Sequence, residues 1–185
     1  ARQFRAAGLE PEPAIALCMA SGIIADTLYL RSPTTTDVDR DSLAWLETLC
    51  REDLEAYAQE FFQTGSALRS RTPGEVIRED CKEFTEHGVR FSISQIEETG
   101  FDLFWERKDE LREALEAFAA EQELGFSTLL VTDVVSNGSL LLLSQESDAF
   151  EDINYPRLDR ALYQLSDVVS RKKQLLPLIC RLLAK

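Results

Sequence analysis

Ser170-Arg171-Lys172-Lys173 sets three adjacent cations behind a hydroxyl, just ahead of the apolar run at 175–184. A helix start there would present free N–H groups and partial positive charge, which favour an anion. An arginine fork adds bidentate contacts to phosphate oxygens, and a lysine adds a mobile point charge. Together they would form a compact phosphate clamp; a solvated basic turn balancing nearby acids is the blander alternative. A second chemical candidate is Asp26, flanked by Ile23, Ile24 and Leu28 in an apolar stretch. A buried carboxylate needs a partner. The choices are a cap, a hydroxyl from the loop at 31–36, a cation or a metal ion. The single histidine, His87, falls in an expected hairpin turn and cannot by itself build a nucleophilic triad or a histidine metal cage. Neither a glycine-rich phosphate loop nor a calcium-type acidic loop is present. These residues offer an anion clamp and one acid, not a complete active site.

The 185 residues carry 33 acids against 20 lysines and arginines, a formal net charge of −13. That balance excludes general nucleic-acid or anionic-membrane binding, which needs a broad basic face. Any bound anion must be held by a local cluster acting against the global field. The four cysteines, Cys18, Cys50, Cys81 and Cys180, form no CxxC pair and read as reduced thiols, with two disulfides as the lesser alternative. No apolar run approaches the roughly 18–20 residues of a membrane span, so a soluble cytoplasmic chain is expected. It opens on a helix-like pattern without Met and reads as a piece of something longer.

The elements that must position these groups fall into two parts. Residues 1–65 read as all-helical: an initial helix, a nearly all-round apolar and therefore buried helix over 14–30, and a helix opened by a Thr36–Asp39 capping box. A further amphipathic helix over 52–65 has Gly65 as its C-cap candidate. Residues 66–71 are polar, unpatterned and expected to be a linker. From 72 the pattern mixes types. Thr72-Pro73 starts a short helix, and 81–98 alternates as a hairpin turning at His87-Gly88, with Val89, Phe91 and Ile93 on one face. A long amphipathic helix spans 101–124. Two apolar strands flank Ser136-Asn137-Gly138, and a helix over 174–184 ends the chain. The expected class is α/β, or α+β mixed: a helical part followed by a mixed-sheet domain with flanking helices.

Three stretches, GIIADTLYLRSPTTTDVDR (22–40), EDCKEF (79–84) and DVVSRKKQ (167–174), together resemble the family II, manganese-dependent inorganic pyrophosphatases of the DHH phosphoesterase superfamily. The resemblance runs nearly end to end. It implies that 1–65 are the last helices of a DHH catalytic domain, that 66–71 are a linker, and that 72–185 are the DHH-associated substrate-binding domain. It implies Asp26 as a metal ligand, Lys82 as a lysine reaching substrate phosphate, and Arg171 with Lys172 as the pair gripping pyrophosphate. Ser170 and Lys173 belong to the motif with less direct contact. The implied cofactor is a binuclear Mn2+ (or Mg2+) centre in the full-length protein, whose other ligands are not in this chain. The implied substrate is pyrophosphate, hydrolysed to two phosphates. The chain alone should be inactive and monomeric, the full-length protein a homodimer. An exopolyphosphatase or other phosphoesterase of the superfamily is the second enzymatic reading, and a non-catalytic anion-binding module is a third.

Overall fold

In the computed structural model, which describes residues 1–184, the chain divides between Thr64 and Gly65 into a helical unit and a unit built on a sheet. The helical unit holds α1 (Arg2–Ala6), α2 (Pro13–Thr27), α3 (Asp37–Cys50) and α4 (Leu54–Thr64). Pro13 opens α2, where its missing N–H costs nothing. Thr36 and Asp39 close the expected capping box on α3. α2 packs against α3, and a 2.8 Å hydrogen bond between Ser21 Oγ and the Tyr57 hydroxyl ties α2 to α4.

One expectation fails in this unit. α2 buries only the stripe Ala16, Ala20, Ile24 and Thr27, while Ile15 is half-exposed; its neighbours within the unit cover one face rather than all of it. An unusual backbone follows α2, where Leu28, Tyr29 and Leu30 all have positive φ (48°, 51° and 65°). Consecutive left-handed residues with side chains are costly. Thr27 helps hold the turn, its Oγ1 donating to the Ile23 carbonyl (2.6 Å) and accepting from Leu30 N–H (3.0 Å).

The second unit contains α5 (Ala67–Ser70), α6 (Pro73–Glu79), β1 (Cys81–Glu86), β2 (Val89–Glu98), α7 (Asp102–Glu121), β3 (Phe126–Asp133), β4 (Gly138–Leu143), β5 (Arg157–Asp159), β6 (Leu162–Ser166) and α8 (Leu176–Leu183). Strand order is β1-β2-β3-β4-β6-β5. Only β2 and β3 run parallel, joined by α7 as parallel strands require. The result is a six-stranded mixed sheet with helices on both faces, as expected for the class. One face carries Phe91, Ile93, Leu130 and Leu141 against Leu175, Ile179 and Leu182. The other carries Ile96, Leu129, Val131 and Leu142 against Val76, Phe104, Leu111 and Leu115. The first hairpin turns where expected, with His87 and Gly88 both left-handed (φ 50° and 80°), as a two-residue loop of matching twist requires.

Residues 66–71 are not an unpatterned linker. Ser66 caps α5, and the buried Glu98 carboxylate accepts from Ser66 Oγ (2.7 Å) and Leu68 N–H (3.1 Å). A strand 30 residues downstream thereby orders a segment that has no local pattern of its own. The β3–β4 connection has a similar device. Burial alone would raise the Asp133 carboxyl, but hydrogen bonds from Ser136, Val135 and Gly100 outweigh it and hold the group below the usual carboxylate range.

Candidate anion-binding site

The edge hairpin sets the orientation of the first cation. Lys82 pairs with Ile93 and Phe84 with Phe91 across β1 and β2, and cross-strand partners share a face. Lys82 therefore lies on the Ile93 face of the sheet, the face covered by α8. It is exposed.

The other cations lie at the start of that helix. Arg171–Leu175 forms a wide π-type turn running directly into α8, with Leu175 N–H reaching back to the Ser170 carbonyl (3.1 Å). Such turns are uncommon and cluster at functional places. Ser170 caps the turn, its Oγ accepting from Lys173 N–H (3.3 Å). Lys172 and Lys173 are exposed. Arg171 bonds to Asp80 and to the Ile93 carbonyl, so the turn bearing Ser170, Arg171, Lys172 and Lys173 joins the sheet at the strand pair that carries Lys82.

Arg171 differs from its neighbours. Only 9% of it is exposed. Its guanidinium donates to the Asp80 carboxylate (2.8 Å) and to the carbonyls of Asp80 and Ile93, and its backbone N–H donates to Gln95 Oε1 (3.1 Å). Among the described residues, these bonds use both Nη1 hydrogens and one on Nη2. Around it stand residues that sequence reasoning missed: Asp80, Gln95, Glu97 and Gln174. Gln174 Oε1 accepts from the N–H groups of Val169 and Ser170, both at 3.0 Å. Glu97 is pushed above its ordinary range by burial first and the Asp80 charge second; the Gln95 hydrogen bond and Arg171 reverse this only in part. The available signal was positional: Gln95 and Glu97 continue the alternation of Phe91 and Ile93, so polar groups stand in an inward-facing register.

Asp26 belongs to the helical unit and is exposed on α2. The expected buried acid in need of a partner is therefore corrected: the carboxylate is exposed in this chain, and the loop hydroxyl of Thr34 donates to the Asp26 backbone carbonyl (3.3 Å). Among the described residues, no group of three His, Cys, Asp or Glu could hold a metal ion. Hard divalent ions demand several oxygen or nitrogen donors at once. This donor set does not build a metal centre, and Asp26 can supply at most one ligand.

The family model of the DHHA2 domain matches residues 59–182. The chain belongs to the DHHA2 domain family. The matched span contains the edge hairpin, the π-type turn and all five clustered site residues. This DHHA2 chain is 31% identical over 185 residues to a Staphylococcus epidermidis protein named a probable manganese-dependent inorganic pyrophosphatase, covering 100% of the chain and 60% of the relative. A Clostridium acetobutylicum protein of the same name is 33% identical over 172 residues, 92% of the chain and 55% of the relative. Among solved structures, one from Methanococcus jannaschii, described as a candidate family II inorganic pyrophosphatase, superposes with a TM-score of 0.79 at 28% identity, covering 95% of this chain and 58% of that one. The DHHA2 chain thus spans about 60% of the length of these relatives.

Proposed function

We propose that this chain supplies the substrate-gripping cations of a manganese-dependent inorganic pyrophosphatase, which hydrolyses pyrophosphate to two phosphates. One observation supports the reading: the nearly buried Arg171 is held by Asp80, the exposed Lys172 follows Arg171 directly, and the exposed Lys82 follows Asp80 by two residues, in a chain with net charge −13. A small polyanion presented at one point suits such a cluster, whereas an extended anion would need a broad basic surface. Lys82 and Lys172 hold the outer phosphate oxygens as mobile point charges. Arg171 adds its positive charge from a fixed position. Ser170 and Lys173 shape the turn. Preorganised cations of this kind stabilise charge as it develops on the departing phosphate. The names of the relatives support the same substrate.

In this reading residues 1–65 are the end of the metal-holding domain and 72–185 the substrate-binding domain of a longer, cytoplasmic, homodimeric protein. Asp26 is one ligand of its Mn2+ (or Mg2+) pair, and the remaining ligands come from outside this chain. The test compares hydrolysis of pyrophosphate and of long-chain polyphosphate by that longer protein with Mn2+. Preference for pyrophosphate, with Lys82→Ala and Lys172→Ala each raising KM about tenfold, supports the reading. Preference for polyphosphate, or an unchanged KM in either variant, overturns it.

A further inference from the structure

The segment bearing Lys172 has its backbone tied down by two side-chain amides. Gln174, within the turn, takes the N–H groups of Val169 and Ser170 and donates to the Asp167 carbonyl (2.6 Å). Gln95, on β2, takes Arg171 N–H at Oε1 (3.1 Å) and donates from Nε2 to the Val169 carbonyl (3.2 Å) and to Glu97 Oε1 (3.1 Å). Its own backbone N–H donates to the Asp80 carbonyl (3.2 Å), and Asp80 is the residue whose carboxylate holds the Arg171 guanidinium. Lys82 follows Asp80 by two residues; Lys172 follows Arg171 by one.

We infer that Gln95 is a positioning residue for the anion site, a two-headed clamp that fixes Lys172 and Arg171 relative to Lys82; the inference rests on the proposed diphosphate-binding role of those cations. Only a primary amide meets both demands at once. Oε1 must accept from Arg171 N–H while Nε2 donates to the Val169 carbonyl. Methionine matches the length and removes both bonds. Glutamate keeps the acceptor but loses the donor, and places a second carboxylate beside Glu97 and Asp80. The support is non-local, tying β2 to a turn more than 70 residues later, so releasing it frees the lysine without touching it.

The experiment is a double-mutant cycle on the 185-residue chain, with pyrophosphate as the titrant in calorimetry and circular dichroism as the fold control. Gln95→Met is expected to weaken pyrophosphate binding by up to about twenty-five-fold, since it loses two hydrogen bonds to the turn, each worth about a factor of five, with the fold retained. In a Lys172→Ala background, Gln95→Met should cost clearly less than in the parent chain, because one of the two cations it positions is gone. Gln95→Glu should weaken binding at least as much as Gln95→Met. A purely structural glutamine would act equally in both backgrounds, and that result overturns the inference. Unchanged affinity in Gln95→Met beside a weakened Lys172→Ala overturns it alone. An unweakened Lys172→Ala overturns the proposed function itself.

Discussion

Replacing Arg171 and Lys172 one at a time should separate bracing from gripping. Arg171→Ala deletes a nearly buried guanidinium that makes three hydrogen bonds, to the carbonyls of Asp80 and Ile93 and to the Asp80 carboxylate; the Asp80 carbonyl keeps its bond from Gln95 N–H. Two bonds from a charged donor to carbonyls contribute about 1 kcal/mol each after the exchange with water. The ion pair counts for no more than about 1 kcal/mol, because the Asp80 side chain is half-exposed and solvent screens it. The sum is about 3 kcal/mol. With a slope of about 2 kcal/mol per molar urea for a unit of this size, the unfolding midpoint of the second unit should fall by roughly 1.5 M. Lys172 is exposed on the same turn, so Lys172→Ala should leave that midpoint in place. Both variants should lose pyrophosphate affinity. The assay is urea unfolding followed by Trp105 fluorescence in a Trp45→Phe background, which confines the signal to the second unit and avoids treating two units as one transition. Equal destabilisation by the two substitutions, or an unmoved midpoint in Arg171→Ala, refutes the bracing argument.

Three more outcomes can be checked independently. Glu97 has a folded-state pKa raised by burial and by Asp80, so its favourable contribution is complete below the ordinary carboxylate range and is lost as pH rises through the raised value. Glu97→Gln should therefore be more stable than the parent chain near neutral pH, with the gap closing below about pH 4.5; a gap that widens in acid contradicts this. Glu98→Ala should expose the Leu68 amide to fast hydrogen exchange and destabilise the second unit by about 2–4 kcal/mol, while Glu98→Gln, which keeps an acceptor for Leu68 and a donor for Ser66, should retain most protection. The chain alone should not turn over pyrophosphate with Mn2+, because among the described residues no group of three His, Cys, Asp or Glu could hold the metal; measurable Mn2+-dependent release of phosphate would contradict that.

Features written in adjacent residues were legible. The His87-Gly88 turn, the Thr36–Asp39 capping box, the Thr72-Pro73 helix start and the long α7 all follow from local rules of sterics and periodicity. So did the three motifs that carry the family resemblance. What escaped depends on distant partners. β5 is three exposed residues long and β6 five, too short for alternation to stand out; β6 is placed by pairing with β4, and β5 by pairing with β6. The ordering of 66–71 comes from Glu98. Arg171 looked like one member of a basic run, yet contacts 76 and 91 residues away in sequence make it a strut. Apolar composition also misled at α2, where helical geometry directs only one stripe inward.

The most direct test of diphosphate binding at the β1–α8 face is a titration of the isotopically labelled chain with pyrophosphate, followed by amide chemical shifts. The account predicts saturable shifts concentrated at Lys82 and at Ser170, Arg171, Lys172 and Lys173, abolished in a Lys82→Ala, Lys172→Ala double variant. Shifts centred on the acidic cleft around Glu146 and Arg157, or shifts that persist in the double variant, would contradict it.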